Sequence, residues 1–270
     1  KTIEFIKKKI EFKKGFSFNK KTGKKVKAII AVHIFGNAVE LIKIKNLCKK
    51  RNILIIEDCS ESLGTFVRKK NRLVHTGNIG EMSCLSFNGN KIITAGAGGM
   101  ILTDVKNFER RIRYLIRQAK DDELDFIHND IGYNYSQTNI HAAIGYAQMK
   151  NIKQILKKKK KIYLNYVSLF KNNDNFDIYS VPTYAENNHW LNILKIKNIK
   201  VNNKKKLIVK LIRNKIFVRP IWKLNHLQLK YRKYQTYRIS KSVELVSNSI
   251  CLPSSYHLSI NDLKRVIKEI

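Results

Sequence analysis

Two apolar runs near the start of the chain flank a segment with helical spacing. Residues 25–37 and 53–60 are runs of apolar residues without strict alternation, which is typical of strands covered on both faces of a sheet. Between them, residues 38–51 repeat apolar positions at helical spacing. The strand–helix–strand order predicts an α/β fold with a mostly parallel sheet.

Further elements follow the same pattern. Weakly patterned residues 1–25 predict only a short strand or helix. Strands are predicted at 82–87, 98–104, 178–184, 189–196 and 217–221, with the pair 178–184 and 189–196 expected to lie side by side. Helices are predicted at 106–118, 138–150, 151–171, 201–214, 241–249 and 260–270. The long helical stretch predicts a boundary between a large domain, 1–155, and a small α+β domain, 156–270.

Composition narrows the class of protein. Of the 270 residues 43% are hydrophobic, which is enough for a core and too many for a disordered chain. The absence of an 18-residue apolar run argues against a membrane span. The four cysteines are widely spaced, so we expect neither a bound metal nor a disulfide scaffold, and a reducing cytoplasm fits.

The charge is strongly basic, and this raises the hypothesis of nucleic-acid binding. The chain has 54 Lys+Arg and 20 Asp+Glu, so its formal charge is 54 − 20 = +34. The lysines are dispersed among Ile and Asn, as a coding bias would produce. We interpret the one dense block, Lys157–Lys161, as a solvated helix face, and no nucleic-acid-binding motif is present. Specific nucleic-acid binding is therefore the lowest-ranked hypothesis, and an anionic substrate remains compatible with the charge.

One lysine stands among small residues at a predicted strand end. In residues 84–104 a strand is followed by Asn88-Gly89-Asn90, by Lys91, and by a loop containing three glycines. Glycine allows close approach of a bulky group, and a lysine amine can form a Schiff base with a carbonyl. The alternative is a surface lysine in a hairpin-like loop.

Two acids follow the strand at 53–60. Asp58 is placed where that strand meets its loop, and ligands of α/β sheets bind beyond the carboxyl ends of strands. An acid there can keep a cationic ring nitrogen protonated. Glu61 follows one turn later. The alternative is that Asp58 caps a helix, and both roles are compatible.

A third polar segment precedes the helix at 138–150. Thr138 or Asn139 suits the N-cap, and Asn134 lies in the turn before it. Helix N-termini favour anions, so Asn134 is a candidate anion ligand. The alternative is ordinary turn chemistry.

Taken together, these motifs resemble those of the DegT/DnrJ-type sugar aminotransferases, which are fold-type I enzymes dependent on pyridoxal 5'-phosphate (PLP). The motifs are HIFGN (33–37), EDCSESLG (57–64), LSFNGNK (85–91) and GYNYSQTNIHAA (132–143). Three later segments are similar to one branch, which aminates UDP-linked 4-keto-6-deoxy sugars for glycans of the bacillosamine or legionaminic acid type. They are NNHWLNIL (187–194), FVRPIWKLNH (217–226) and CLPSS (251–255).

The resemblance assigns roles to five residues. Lys91 would hold PLP through its amino group and later move protons. Its presence argues against the few family members that carry His there and dehydrate their substrates. Asp58 would pair with the ring nitrogen, and Glu61 would lie against the ring. Ser86 would bind the phosphate, and Asn134 would reach the phosphate of PLP in the neighbouring subunit of a homodimer.

The resemblance also implies the reaction. An amino acid, with glutamate as the expected donor, would supply the amino group, and C4 of the UDP-linked ketosugar would receive it. His33, Arg219 and His226 are weaker candidates for substrate binding. Trp190 and Trp222 are expected in the core, with stacking on uracil as the alternative.

Two departures from the family pattern affect the prediction. Ser136 stands where the family has an arginine after Gly-Tyr-Asn-Tyr, so a cationic contact is expected to be missing. The family also has a Ser-Gly-Thr loop that helps bind the PLP phosphate, and nothing before His33 matches it. Because residue 1 is Lys, we expect a chain truncated at its N-terminus. An inactive or incomplete remnant of such an enzyme is the alternative, and the sequence upstream would distinguish the two.

Overall fold

A computed structural model describes residues 1–197 and 201–270. In chain order, its α-helices are α1 (Thr2–Lys9), α2 (Leu41–Lys49), α3 (Lys106–Ile116), α4 (Asn139–Lys150), α5 (Ile152–Phe170), α6 (Val201–Arg213), α7 (Ser240–Ser247) and α8 (Ile260–Glu269). The strands are β1 (Ile10–Lys13), β2 (Phe16–Asn19), β3 (Ala28–Val32), β4 (Leu54–Asp58), β5 (Phe66–Lys69), β6 (Arg72–His75), β7 (Met82–Ser86), β8 (Gly99–Leu102), β9 (Phe176–Ile178), β10 (Ala185–Glu186), β11 (Asn192–Ile196), β12 (Arg219–Pro220) and β13 (Ser249–Leu252). None of the helices in these two ranges combines the length and apolar character that a membrane span needs.

A four-stranded sheet in the order β3-β4-β7-β8 forms the first layer. Strands β3, β4 and β7 are parallel, and β8 runs antiparallel to β7. Helix α2 makes the crossover between β3 and β4, and it buries Leu41, Ile44 and Cys48. The predicted α/β fold with a mostly parallel sheet is therefore confirmed.

The strand register brings several polar residues to one edge of this sheet. Asp58 is paired with Val32 on one side and with Cys84 on the other. The main-chain N–H of His33 donates to the Asp58 carbonyl oxygen at 3.1 Å. The carboxyl ends of all three parallel strands therefore meet at this edge, where Asp58 and Ser86 each end a strand.

A second, antiparallel sheet has the order β12-β13-β11-β9. Its core contains buried residues from the sheet and from helices α5, α6 and α8, including Tyr166, Leu194, Leu211, Ile250 and Leu263. The strand predicted at 178–184 is wrong in its bounds, because the main chain leaves the sheet after Ile178. The helix predicted at 241–249 ends at Ser247, and the buried strand β13 follows it.

Two small β structures were not predicted in detail. Residues 1–25 contain α1 and the hairpin β1–β2, and β5, β6 and β10 form a three-stranded sheet. Strands β5 and β6 are four residues long and carry charged residues, so the alternation of apolar and polar positions was too weak to predict them.

Helix α5 crosses from the first layer to the second. It buries one face that consists of Ile155, Lys159, Ile162, Tyr166 and Phe170. The interpretation of Lys157–Lys161 as a wholly solvated face is therefore wrong for Lys159, which is 6% exposed. The boundary between 1–155 and 156–270 falls inside this helix and stays a prediction.

Candidate active site

Asp58 lies half-buried at the end of β4. Its Oδ1 accepts a hydrogen bond from the N–H of Ser60 at 3.0 Å and lies 3.8 Å from the thiol sulfur of Cys84. Burial, and after it the Asp58 charge, raises the pKa of the Cys84 thiol. Turns follow β4 in place of a helix, so Asp58 does not act as an N-cap.

Glu61 lies one turn beyond Asp58, and the charges of Asp58 and Lys91 both influence the pKa of its carboxyl group. Its Oε2 accepts a hydrogen bond from the N–H of Phe35 at 2.6 Å. Burial raises the pKa of the Glu61 carboxyl. The hydrogen bond and the charge of Lys91 oppose this rise, and the charge of Asp58 adds to it. Asp58, Glu61 and Lys91 are therefore close enough to interact electrostatically.

Lys91 ends the turn that follows β7. Its N–H donates to the Asn88 carbonyl oxygen at 3.1 Å, and its side chain is half-buried. The Nζ atom lies 4.6 Å from the centroid of the Trp190 ring, and the Trp190 Nε1–H donates to the Asn90 carbonyl oxygen at 2.7 Å. This packing against an aromatic ring disfavours the alternative of a solvated surface lysine.

Ser86 lies half-buried at the end of β7, opposite Gly99 of β8. Its Oγ accepts a long hydrogen bond of 3.5 Å from the N–H of Asn88. A Cβ atom on Gly99 would collide with the Leu85 carbonyl oxygen, so the close β7–β8 approach requires glycine there.

His33 is buried with both ring nitrogens engaged inside the chain. Its Nδ1 accepts from the N–H of Val39 at 3.0 Å, which assigns the ring proton to Nε2, 3.0 Å from Glu57 Oε2. With 0% exposure, His33 has no free nitrogen for a substrate. We therefore replace the expected substrate contact with a positioning role. Cys59 lies beside this pair, but burial raises its pKa to about 12 and so disfavours a thiolate ligand.

A cavity of about 770 Å³ opens between the loop that carries Lys91 and the second sheet. Its lining includes Asn90, Trp190, Arg219 and Trp222. Trp190 is 3% exposed, as expected for a core residue, whereas Trp222 is 48% exposed and stacks on Phe35 with ring centroids 4.7 Å apart. The expectation that Trp222 is a core residue is therefore wrong.

The remaining two candidates, His226 and Asn134, lie outside the lining of that cavity. His226 is half-buried in the 3₁₀ turn Asn225–Leu227. Asn134 lines a separate exposed cavity of about 470 Å³ together with Arg113, Arg117 and Ser136. The structure of the single chain thus assembles Asp58, Glu61, Ser86 and Lys91 at one sheet edge, and the roles of Asn134 and His226 stay predictions. Thr138 is the N-cap of α4, as predicted.

Two residues at the edge of the site were missed by sequence reasoning. Asn188 links the Glu61 and Leu63 carbonyl oxygens, at 2.8 and 2.9 Å, to the N–H of Trp190, at 2.9 Å. No sequence signal distinguishes this loop asparagine from its neighbours. Lys159 could have been found, because its spacing from Ile155 and Ile162 places it on the apolar face of α5.

Comparisons with known proteins agree with this geometry. The chain is 32% identical over 257 residues to the protein of Bacillus subtilis named as putative pyridoxal phosphate-dependent aminotransferase EpsN, covering 92% of this chain and 64% of that protein. It is 32% identical to the GDP-perosamine synthase of Escherichia coli O157:H7, covering 87% and 62% respectively. The chain thus spans less than two thirds of the length of these relatives.

The fold is shared with solved structures. The aminotransferase PseC of Helicobacter pylori, described as involved in pseudoaminic acid biosynthesis, superposes with a TM-score of 0.81 at 23% identity, over 90% of this chain and 65% of that one. A sequence profile of one family matches residues 13–270. The chain therefore belongs to the DegT/DnrJ/EryC1/StrS aminotransferase family.

Proposed function

We propose that this chain carries the catalytic part of a PLP-dependent nucleotide-sugar aminotransferase. The observation that supports this most directly is the placement of Asp58 at the end of β4 and of Lys91 in the loop after β7, close enough that both charges influence the pKa of Glu61. An amine and a carboxylate at one such edge match the two ends of PLP that need a protein partner, the aldehyde and the ring nitrogen.

The residues present fit PLP. Among the described residues, neither Lys91 nor Asp58 forms an ion pair with another side chain, so both side chains remain available to a ligand. Both side chains are half-buried, which limits solvation without preventing access. When bound, PLP supplies stabilisation of negative charge at the carbon that loses its proton.

The chain's own residues would bind and orient the cofactor. Lys91 would hold the cofactor and then move a proton between the substrate carbon and the former aldehyde carbon of the cofactor, and the carboxylate of Asp58 would keep the ring nitrogen protonated. Ser86 would donate its hydroxyl hydrogen to the phosphate, and Glu61 would limit movement at the ring edge. Asn134 would act on the phosphate site of a second copy, which makes a homodimer part of the proposal.

The substrate proposal rests on the cavity beside Lys91. A nucleotide-linked 4-keto-6-deoxy sugar would place its C4 carbonyl near Lys91, with glutamate as the amino donor. Arg219 is exposed at the cavity wall and offers a bidentate partner to a diphosphate, and the exposed face of Trp222 offers a stacking surface for a base. We propose UDP as the nucleotide. One relative is named for a GDP-linked sugar, so the test includes both.

The location is a further part of the proposal. All four cysteines are free thiols, and Cys48, Cys59 and Cys251 are buried. Unpaired buried thiols are compatible with a reducing cytoplasm.

The decisive experiment traps the cofactor and then follows the transfer. The chain, and in parallel the longest in-frame product of its gene, is incubated with PLP and reduced with borohydride, and the modified residue is located by mass spectrometry. Lys91→Met is the test variant, and Lys153→Met, at an exposed position of α5, is the matched control. Glutamate and UDP- or GDP-linked 4-keto-6-deoxy sugars are supplied with PLP to a separate, unreduced sample, because the reduced adduct cannot transfer an amino group, and the aminated sugar is detected by mass.

The expected result is PLP modification at Lys91 in the reduced sample, lost in Lys91→Met and retained in Lys153→Met. The unreduced sample is expected to aminate the sugar. Folded protein that traps PLP at random surface lysines would overturn the proposal. Steep salt-sensitive binding to DNA, in the absence of trapping, would instead favour the nucleic-acid hypothesis.

A further inference from the structure

Trp190 contacts Lys91 through two different groups. The indole face lies 4.6 Å from the Lys91 Nζ, within the range of a cation–π interaction. The indole N–H donates to the carbonyl oxygen of Asn90 at 2.7 Å, so it also fixes the residue before Lys91. Since Trp190 is 3% exposed, it forms a rigid wall behind the lysine.

Trp190 is itself held by a buried lysine. The Lys159 Nζ donates to the Trp190 carbonyl oxygen at 2.6 Å and to the Ser254 carbonyl oxygen at 2.5 Å. Lys159 is 6% exposed, and burial lowers its pKa to about 8. Within the described part of the chain, no carboxylate forms an ion pair with it.

The neighbouring contacts extend this junction to the second sheet. The hydroxyl oxygen of Ser254 accepts from the N–H and from the side-chain amide of Asn192, at 2.9 and 3.0 Å, and Ser254 lies two residues beyond the end of β13. Lys159 thus joins three segments: helix α5, the entry to β11 and the exit from β13.

A buried ammonium group without an acidic partner joins these segments at a cost in desolvation free energy. A methionine at the same position of α5 would fill the same apolar groove between Ile155 and Ile162 without desolvating a charge. The ammonium group gains two main-chain acceptors, and one of them belongs to the residue that packs against Lys91. Packing alone therefore does not explain a lysine here.

We propose that Lys159 is a positioning residue for Lys91, which it orients by fixing the main chain of Trp190. The inference rests on the proposed role of Lys91 as the cofactor-binding lysine. Two successive contacts, from Lys159 on α5 to Trp190 and from Trp190 to Lys91, would thus position the amine that must reach the PLP aldehyde. Loss of the first contact leaves the fold in place and loosens Lys91.

The test compares Lys159→Met with Lys157→Met, its exposed neighbour on the same helix. Two rates are measured for Lys91 by mass spectrometry: borohydride-trapped addition of PLP, and acylation by dilute acetic anhydride without PLP. For Lys159→Met we expect PLP addition to slow by about threefold or more and acylation to accelerate by about threefold, because the loosened amine leaves the indole face. We expect Lys157→Met to match the wild type in both rates.

Two further variants keep the test independent of a folding defect. Lys159→Arg retains donors for both carbonyl oxygens and is expected to restore the PLP rate at least in part. The chain has two tryptophans, so Trp222→Phe leaves Trp190 as the sole tryptophan, whose fluorescence can be excited selectively. In that background, Lys159→Met is expected to raise the quenching of Trp190 by acrylamide, whereas Lys157→Met leaves it unchanged.

The outcomes separate this inference from the proposed function. If Lys159→Met folds and both Lys91 rates and the Trp190 quenching equal those of the wild type, the positioning role is overturned. If the wild-type chain fails to trap PLP at Lys91, the proposed function fails. The acylation and quenching measurements then still decide whether Lys159 controls Lys91.

Discussion

The Nε2–H of His33 lies 3.0 Å from the Oε2 of Glu57, and solvent reaches neither side chain. The same carboxylate accepts three main-chain N–H groups, from Gly77, Ile79 and Gly80, at 2.9, 2.7 and 2.6 Å. Burial by itself would raise the pKa of Glu57, but the His33 contact and the three N–H donors outweigh it and lower the pKa. The pair ties the end of β3 to the loop after β6.

Glu57→Gln tests this buried acceptor. The amide places donors where His33 and the three N–H groups also donate, so we expect the free energy of unfolding at neutral pH to fall by about 1–3 kcal/mol. Because the folded pKa lies below the ordinary value of 4.5, the contribution of the carboxylate is complete above that pH and is lost as the pH falls through the folded pKa. Urea unfolding at neutral and acidic pH measures both effects.

The matched control is Glu186→Gln, which removes the exposed ion pair with Arg68. We expect a change of less than about 1 kcal/mol there. If Glu57→Gln unfolds like the wild type at both pH values, the carboxylate is not the anchor that the contacts indicate.

Gly36→Ala tests the contact between the loop after β3 and the loop before Trp190. Gly36 has φ +83°, and a Cβ atom there would collide with the side-chain oxygen of Asn188. Gly23 has φ +67° with open space around it, so Gly23→Ala adds only backbone strain of about 1 kcal/mol. We expect Gly36→Ala to lower the free energy of unfolding by about 2 kcal/mol more than Gly23→Ala, through the displaced amide and its lost hydrogen bonds. Equal losses in urea unfolding would show that Asn188 adjusts freely.

Glu61→Gln is expected to act in the opposite direction to Glu57→Gln. Burial raises the pKa of Glu61, so ionisation of this carboxyl disfavours the folded state at neutral pH. The amide oxygen can still accept from the N–H of Phe35. We expect a gain in unfolding free energy on the order of 1 kcal/mol at neutral pH. The gain should disappear as the pH falls through the raised folded pKa towards 4.5, and a gain that persists in acid would point to packing instead.

Long periodic elements made most of the fold predictable. The uninterrupted apolar runs of β3 and β4 and the helical spacing of α2 are local features, and they already imply a parallel unit with ligand chemistry at the carboxyl end. Strand β13 was not predicted, and the helix predicted at 241–249 overlapped its first residue, because four buried residues cannot show which period they follow. Asp58 and Lys91 could be chosen from the sequence because Asp58 stands at the end of a predicted strand and Lys91 in the loop after another.

The supporting residues were harder to predict because their roles depend on distant segments. Lys159 lies 31 residues from Trp190 and 95 from Ser254 along the chain. Lys159 also stands within a block of five lysines, so composition alone does not show that this one faces the core. His33 was assigned to substrate because of the resemblance of its segment to a family motif, whereas Glu57 and the N–H of Val39 occupy both of its ring nitrogens.

Asp58→Asn separates cofactor retention from catalysis. The amide can still accept from the N–H of Ser60, so the turn after β4 should persist. It cannot keep a ring nitrogen protonated. We expect trapping of PLP at Lys91 to continue while amino transfer slows on the order of 100-fold, a loss common for one preorganised electrostatic group. Single-turnover rates with glutamate measure the effect, and an unchanged rate would remove Asp58 from the proposed site.

Trp222 and Arg219 in the cavity wall are expected to bind the nucleotide part of the substrate. Trp222→Leu removes the exposed aromatic face but keeps an apolar contact with Phe35, so we expect KM for the nucleotide sugar to rise by about tenfold with kcat nearly unchanged. Arg219→Met should raise KM similarly and weaken its dependence on salt, because a diphosphate partner is lost. Lys230→Met, an exposed charge outside that lining, serves as the control for net charge. If Lys230→Met raises KM as much as Arg219→Met does and Trp222→Leu leaves KM unchanged, the general charge of the chain attracts the substrate and this cavity does not bind its nucleotide.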